Sequence, residues 1–287
     1  MKFAFVNKHL CQHKVKQMCH MLGVSSSGYY LWKNRGKSRR DVENAFILEK
    51  IKGIHRLSDY TYGSPRITHA LRKELIYCSQ PRVARLMRKN GIRSKMKRKF
   101  KSTTDSHHKQ PVAENLVSQN FSIGEPNKLW LSDITYIYTR EGWLYLSVVM
   151  DLFNREIISW AMDKRLKRQL VIDACERAIL KRRPDEGLIF HSDRGSQYAS
   201  GEFWRLLRNQ RITQSMSGKG NCYDNAVMES FFDTLKTELV YPSHFDTRKE
   251  AKQKIFEYIE IFYNRPRLHS SLGYKTPLEF GNEKKVA

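Results

Sequence analysis

Three acidic residues of this chain stand in or beside apolar segments, where carboxylates are uncommon. Asp133 interrupts the run 129–138, whose β-branched and aromatic residues predict a buried strand. Asp193 ends a second apolar run, and Glu229 lies in 225–239, which has helical periodicity. Carboxylates near an apolar core are costly unless a positive charge compensates them, and three together would repel one another. A divalent cation would remove that repulsion, so the three acids predict a metal site.

The segment 225–239 predicts a helix that presents Glu229 at the edge of an apolar stripe. The stripe repeats at helical spacing and consists of Met228, Phe232, Leu235 and Leu239. Glu229 is one residue, about 100° of rotation, from this stripe, so we expect its carboxylate to border the core and not to face open water. Lys236 returns to the face of Glu229, and Asn225 precedes them on the same polar edge.

The elements that must position these acids predict an α/β domain with a mixed sheet. The predicted order is strands 129–138, 143–151 and 156–162, helix 166–181, strand 187–193, helix 201–209, strand 212–217 and the helix of Glu229. A further helix is expected at 249–263. Right-handed crossovers would make the first and fourth strands neighbours. Asp133 and Asp193 are therefore expected to meet.

Basic charge is concentrated in the first third of the chain. The 287 residues carry 52 Lys and Arg against 29 Asp and Glu, a formal net charge of +23. Residues 1–112 hold 26 of those basic residues and only 6 of the acidic ones. Such asymmetry indicates a polyanionic partner, most commonly nucleic acid. No segment approaches the ~20 apolar residues of a membrane helix, and no signal peptide is present, so a cytoplasmic protein without a membrane partner is expected.

Two helix-turn-helix patterns fall within this basic third. The first, at 10–36, has short helices on either side of Gly23. In the second, Pro81 suits the first turn of a helix and Gly91 suits its end. This helix is expected to present basic residues outward, as a DNA-reading helix does: Arg82, Arg85, Arg88 and Lys89. A solvated basic face is the other interpretation.

These patterns predict four parts of the chain. They are an N-terminal helix-turn-helix-like segment at 1–56, a second DNA-binding segment with a basic tail at 57–104, a polar linker at 105–120, and an α/β core with a C-terminal helix at 121–283.

The order of elements and acids resembles the ribonuclease-H-like catalytic core of DDE transposases and retroviral integrases. Asp193 and Glu229 are separated by 35 residues, the spacing typical of that group. Motifs at 129–136, 191–198, 221–226 and 263–277 are similar to those of bacterial insertion-sequence transposases encoded in two overlapping frames. Nearly the whole chain resembles the second-frame (OrfB) product.

The resemblance implies a DNA transposase that cleaves element ends and transfers strands into a target. It implies that Asp133, Asp193 and Glu229 are catalytic and hold two Mg²⁺ or Mn²⁺ ions, and that Lys236 contacts DNA. The implied partners are double-stranded DNA at the terminal inverted repeats and at the target, a first-frame (OrfA) protein or frameshift fusion, and further copies of the chain. The implied location is the bacterial cytoplasm, associated with the nucleoid. No sustained heptad run is present, which leaves open whether this chain recognises ends and multimerises by itself.

Two other functions stay open at this point. One is a ribonuclease-H-like nuclease or resolvase without strand transfer, which the motif at 263–277 disfavours. The other is a DNA-binding regulator with an inert core, which the complete set of three acids disfavours.

Four further polar residues are interpreted as structural or left open. Asp151 is expected to end a strand, and Asp224 to cap the helix of Glu229. His191 is interpreted as a packed strand residue. For His269, contact with DNA and packing at the surface are equally compatible with the sequence.

Overall fold

The computed structural model describes residues 1–36, 38–95, 112–117, 123–218 and 222–283. The chain forms two compact units, Met1–Gly53 and Ile54–Ala287. In the described ranges, no helix is long and apolar enough to cross a membrane.

The first unit is a small helical assembly. It contains α1 (Lys2–Lys8), α2 (Val15–Met21), α3 (Ser26–Asn34) and the first part of α4 (Arg39–Leu57). Gly23 takes a φ of +61° between α2 and α3, a conformation that glycine adopts without strain. The Ser25 hydroxyl accepts the N–H of Gly28 at 2.9 Å and so caps α3. The two short helices predicted on either side of Gly23 are therefore present, and the helix-turn-helix function of 10–36 stays a prediction.

The second unit begins with a further helix pair. It comprises α5 (Ser64–Lys73) and α6 (Gln80–Lys89), and both helices carry a proline in the first turn. Their facing sides bury Ile67, Leu71, Val83, Leu86 and Met87. Gly91 follows α6 with a φ of +68°, as its expected position after a helix requires.

A five-stranded mixed sheet forms the centre of the second unit. Its strands are β1 (Leu129–Thr139), β2 (Gly142–Asp151), β3 (Glu156–Asp163), β4 (Ile189–Ser192) and β5 (Thr213–Met216). The spatial order is β3-β2-β1-β4-β5. The first three strands are antiparallel, whereas β4 runs parallel to both β1 and β5. This is the ribonuclease-H-like arrangement that the sequence predicts.

Helices cover both faces of the sheet because neighbouring strand residues point to opposite sides. Trp130 of β1 packs in a core with α7 (Gln169–Arg182) and α8 (Gly201–Asn209). Leu131, the next residue, packs in the other core with α9 (Ala226–Leu235) and α10 (Arg248–Phe256). A short helix, α11 (Pro277–Glu283), completes the described elements.

The helix of Glu229 ends earlier than its periodicity predicts. The α-helical part stops at Leu235, and Lys236–Val240 forms a single π-helical turn. The helix after it is likewise α-helical only to Phe256, and Glu257–Tyr263 continues it as a π-helix. Apolar periodicity cannot distinguish these wider turns from α-helix, and π-turns occur often at functional sites.

Part of the predicted linker lies against the sheet. The N–H of Leu116 donates to the Ser215 hydroxyl of β5 at 3.0 Å, and Val117 is buried in the core that contains α9. The linker boundaries at 104 and 120 lie outside the described residues, so they stay predictions.

Candidate active site

The pairing of β1 with β4 brings Asp133 and Asp193 together. The parallel register places Ser132 opposite Ser192, and each aspartate is the next residue of its chain segment. One carboxylate oxygen of Asp133 accepts the N–H of Ile134 at 2.7 Å. The Oδ1 of Asp193 accepts the N–H of Gly195 at 2.9 Å. Both side chains are half-buried. The sheet topology therefore brings these two acids together.

Gly195 stands in close contact with Asp193. A Cβ at this position would lie 3.0 Å from Asp193 Oδ1, tighter than most Cβ contacts in proteins. The absence of a side chain therefore lets the backbone N–H reach the carboxylate.

The two aspartates form a negatively charged site. The pKa of Asp133 is raised well above its ordinary value, first by burial and second by the negative charge of Asp193. Glu229 adds to this effect, while the N–H of Ile134 and the charge of Lys236 oppose it. A carboxylate pair in such a setting binds a cation favourably, because the cation removes the repulsion between the oxygens. The donor set at this position therefore fits a divalent metal ion.

A buried tyrosine, Tyr198, contacts the residue that precedes Asp133. The Tyr198 hydroxyl lies 2.8 Å from the hydroxyl of Ser132. Burial and the charges of Asp133 and Asp193 raise the pKa of Tyr198, so this phenol stays neutral.

Glu229 is exposed on α9, and its charge contributes to the raised pKa of Asp133. The prediction that its carboxylate borders the core is wrong, because Met228 and Phe232 occupy the buried face of α9 and Glu229 is exposed. Burial of part of the side chain and the charge of Asp233 raise the pKa of Glu229. In the portion of the chain that the structure describes, no three Asp, Glu, His or Cys side chains lie close enough together to hold a metal ion. Asn225, placed by the sequence on the polar edge of this helix, is buried instead.

Lys236 lies beside both Asp133 and an aromatic ring. Its Nζ stands 5.0 Å from the ring centre of Tyr136, close enough for a cation–π contact. Partial burial lowers the pKa of Lys236, and the charges of Tyr136 and Asp133 oppose that shift. The lysine predicted to contact DNA therefore lies at the mouth of the acidic site.

The predicted DNA-reading helix exposes three of its four basic residues. Arg85, Arg88 and Lys89 of α6 are exposed. The prediction that Arg82 points outward is wrong, because this side chain is half-buried and its Nη2 is shielded from solvent. Arg82 lies in the first turn of the helix, whereas the three exposed basic residues follow later along it.

The two aspartates interpreted as structural are both buried. Asp151 accepts the N–H groups of Asn127 and Phe153, at 3.0 and 3.1 Å. Asp224 accepts from the Asn115 side chain at 2.8 Å and from the Gly218 N–H at 2.9 Å. The prediction that Asp224 caps α9 is wrong, because it holds two loops together instead.

Neither histidine singled out by the sequence is open to DNA. His191 is buried on β4, with Nδ1 2.9 Å from the Ser215 hydroxyl, and burial lowers its pKa to about 4. His269 is buried with its ring edge-on to Tyr263 at 4.7 Å, and its pKa falls to about 3 because of burial and the charge of Arg267. His191 is thus the packed strand residue expected, and for His269 the packing interpretation is the one that holds.

A buried ion pair lies next to the π-helical turn, and the sequence alone does not predict it. Arg267 donates to both carboxylate oxygens of Glu238, from Nε at 2.9 Å and from Nη2 at 2.7 Å. The Tyr258 hydroxyl donates to the same carboxylate at 2.7 Å. Glu238 lies two residues after Lys236, so this pair fixes the turn that carries the lysine.

The motif at 263–277 supplies further contacts of this kind. The Tyr62 hydroxyl donates to the carbonyl of Pro266 at 3.1 Å and accepts the N–H of Leu268 at 2.7 Å. The Asn264 side chain makes two hydrogen bonds with the backbone of Ile157, at 2.9 and 3.0 Å. The motif therefore connects the segment before α5 with strand β3. In the sequence, only the many polar and aromatic residues of the motif indicate these contacts.

Known families match both the sheet and the helices that precede it. Residues 124–222 match the family described as Integrase core domain, and residues 229–284 match a second family with that description. Residues 41–100 match an HTH-like domain. The fold and these matches define a polynucleotidyl transferase of the transposase and integrase class.

Full-length relatives identify the family. The chain is 40% identical over 285 residues to Transposase InsF for insertion sequence IS3A of Escherichia coli (strain K12), covering 99% of both chains. It is 44% identical over 263 residues to the Insertion element IS600 uncharacterized 31 kDa protein of Shigella sonnei, covering 92% of this chain and 97% of that one. The chain belongs to the family of IS3-type insertion-sequence transposases.

Among solved structures, the chain is similar to the simian T-cell lymphotropic virus intasome in complex with PP2A regulatory subunit B56 gamma. The identity is 18% and the TM-score 0.47, covering 80% of this chain and 74% of that one.

Proposed function

We propose that this transposase cleaves DNA at the ends of its insertion sequence and joins them to target DNA at the Asp133–Asp193 site. Glu229 is proposed as the third carboxylate. The observation that carries the proposal is the pair of half-buried aspartates on β1 and β4, where burial and the charge of Asp193 raise the pKa of Asp133.

Divalent cations suit this site by the chemistry of its donors. Carboxylate oxygens are the ligands that Mg²⁺ and Mn²⁺ prefer. Asp133 and Asp193 would hold the cations, with Glu229 joining them on α9. Two such ions, when bound, supply activation of the attacking oxygen and stabilisation of the leaving one in an in-line displacement.

The chain's own residues orient the substrate and hold the acids in place. The N–H groups of Ile134 and Gly195 fix the two carboxylates, at 2.7 and 2.9 Å. Lys236 acts as a point charge on a DNA phosphate beside the acids. Water is the nucleophile in nicking and a 3′-hydroxyl in joining, and one site serves both steps because each is a phosphodiester displacement.

DNA binding outside the catalytic site is assigned to the basic third of the chain. Arg85, Arg88 and Lys89 are exposed along α6, with Arg82 beside them at the start of the helix. Such residues contact phosphates and base edges when a helix enters the major groove. The proposed partners are the terminal inverted repeats, the target DNA, a first-frame protein or fusion, and further copies of this chain at the bacterial nucleoid.

Joining of a pre-nicked element end tests the proposed function. The full chain, supplied with its first-frame partner, is incubated with Mg²⁺, the pre-nicked end and a supercoiled target plasmid. We expect a covalent junction between the 3′ end and the plasmid. If a parallel reaction cleaves an intact end but the pre-nicked end forms no junction at any time, strand transfer is contradicted and a plain nuclease is favoured.

Metal binding should raise the thermal stability of the chain. A cation that binds only the folded state contributes about 2.7 kcal/mol at a hundredfold excess over its Kd, or roughly 5 °C in Tm for a protein of this size. Folded Asp133 holds its proton more tightly than the unfolded chain does, so metal-free stability falls as the pH rises towards the raised pKa. The Tm gain from Mg²⁺ should therefore grow over the same pH range.

Amide substitutions test whether the acids cause this effect. Asp193→Asn should raise the metal-free Tm and reduce the gain on adding Mg²⁺, because one of the repelling charges is gone. Asp163→Asn is the matched control, since Asp163 is exposed at the end of β3. An equal Mg²⁺ response in the wild type and in the amide variants of all three acids would contradict the metal site.

A further inference from the structure

A cleft opens beside the candidate active site, between the β1–β2 hairpin and the segment that follows α9. Its cavity volume is about 390 Å³, within the ~300–1,000 Å³ of typical small-molecule sites. Aromatic and basic side chains line it, among them Tyr136, Tyr138, Arg140, Trp143, Lys236 and Phe245.

Three aromatic rings of this cleft are exposed to solvent. Trp143 packs edge-to-face with Tyr136 and with Tyr138, each at 5.3 Å between ring centres. The exposed fractions are 46% for Trp143, 40% for Tyr136 and 62% for Tyr138. Large apolar side chains exposed together mark an interaction site. Aromatic faces of this kind are the surfaces on which unpaired bases stack.

The hairpin that carries these rings is firmly anchored. Arg248 donates from Nε to the carbonyl of Trp143 at 3.0 Å and from Nη2 to the carbonyl of Glu141 at 2.6 Å. The N–H of Arg140 donates to the carbonyl of Phe245 at 3.0 Å. Gly142 takes a φ of +105°, and a Cβ there would stand 2.9 Å from Arg248 Nη2, so only glycine suits the turn. The backbone of the hairpin that carries the rings is therefore held in place by these contacts.

Lys236 joins the cleft to the acidic site. Its Nζ lies over the ring of Tyr136 at 5.0 Å, and the charge of Asp133 acts on the same lysine. Arg140 adds positive charge at the far side of the cleft, where it pairs with Asp246 at 3.0 Å in a solvent-exposed contact. A nucleotide with its phosphate at the acids would thus find a cation and a ring surface directly beside it.

We propose that this cleft binds an unpaired nucleobase of the DNA strand that is processed at the Asp133–Asp193 site. The inference rests on the proposed function. The base stacks on Trp143 and Tyr138, and Lys236 contacts the adjoining phosphate. Stacking of this kind tolerates any base, because every base has a π face. A DNA end whose terminal bases are already unpaired avoids the cost of unstacking, so it should bind more tightly than a paired end.

The test compares two DNA ends that differ only in pairing. Two fluorescein-labelled duplexes share the same processed strand: the first is blunt, and in the second a shortened complement leaves the 3′ end of that strand as a short single-stranded overhang. Both are titrated with the full chain at one salt concentration. We expect the overhang to bind about tenfold more tightly, as one stacked base allows. Trp143→Ala and Tyr138→Ala should each bring the overhang close to the blunt end, and Trp143→Phe should keep most of the preference.

Trp204 provides the matched control. It lies on α8, outside the lining of the cleft, and is 47% exposed, which closely matches Trp143. Trp204→Ala should leave the preference intact. Equal binding of both ends by the wild type, or an equal loss in Trp204→Ala, would overturn the proposal. If the cleft is instead a contact between copies of the chain, Trp143→Ala should change the sedimentation coefficient without DNA and leave the preference for the overhang unchanged. That result too would overturn the proposal.

A further variant separates this proposal from the proposed function. Asp193→Asn should cleave no DNA yet retain the preference for the overhang, because its rings are intact. If Asp193→Asn still cleaves, the proposed function fails whatever the binding data. If it retains no preference although the wild type has one, the rings alone do not bind the base and the cleft proposal fails.

Discussion

Replacing Glu229 by Gln is expected to reduce nicking and joining together, each by roughly 10⁴-fold. The amide keeps the size and most of the hydrogen bonding of the side chain but removes one charge from the proposed metal ligands. Both displacements need the same ligands, so their rates should fall in parallel. Folding should be unaffected, because Glu229 is exposed on the first turn of α9 and does not pack in the core. The measurements are the rates of end nicking and of joining of pre-nicked ends, with Tm and DNA affinity alongside.

Glu202→Gln is the control for this substitution. Glu202 is also an exposed glutamate in the first turn of a helix, α8, and its carboxylate contacts Arg168 at 2.6 Å. This variant should nick and join at the wild-type rate. A Glu229→Gln protein that no longer nicks but joins pre-nicked ends normally would contradict a shared site.

Glu229 and Asp133 differ in the causes of their pKa shifts. The charge of Asp193 raises the pKa of Asp133 more than that of Glu229 does, and Glu229 is influenced first by its own partial burial and then by Asp233. We infer that Asp133 and Asp193 form the fixed part of the site. Glu229, exposed on α9, is the third proposed ligand. Its substitution should accordingly affect catalysis more than it affects metal-free stability.

Local pattern predicts the sheet and the place of the aspartates well. The predicted strand 129–138 and the observed Leu129–Thr139 differ by one residue, because alternation of apolar residues and a hairpin turn are local signals. Asp133 and Asp193 could be predicted to be neighbours because crossover connections between parallel strands are nearly always right-handed. Strand β4 is shorter than its apolar run, since pairing with β1 and β5 ends at Ser192.

Features that depend on distant partners could not be predicted in this way. Glu238 is a charged residue within an apparently ordinary helix, and its partner Arg267 lies 29 residues away. The contact of Tyr62 with Leu268 spans 206 residues. Asp224 has the residue type and position of a helix cap, but its carboxylate binds Asn115 and Gly218 instead. In each case the tertiary contact decides the role, and no local periodicity reports it.

Replacing Arg267 by Met is expected to lower the free energy of unfolding by about 3 kcal/mol, because it leaves the buried Glu238 carboxylate without its main partner. Arg267 is 3% exposed and Glu238 7%, and two hydrogen bonds join them. Arg66 stands 3.6 Å from the same carboxylate and compensates only in part, so we take the low end of the usual range. Urea unfolding of the full chain measures the change.

Two further variants show that the buried charge causes this loss. The double variant Glu238→Gln with Arg267→Met should recover part of the stability, since no uncompensated carboxylate remains. Lys73→Met removes a cation from Glu279 in a pair whose side chains are 43% and 47% exposed, so it should cost less than about 1 kcal/mol. If Arg267→Met unfolds at the same urea concentration as Lys73→Met, the ion pair does not hold the turn. If it is destabilised as expected, joining should also fall in conditions where the variant is folded, because the turn that Glu238 fixes carries Lys236.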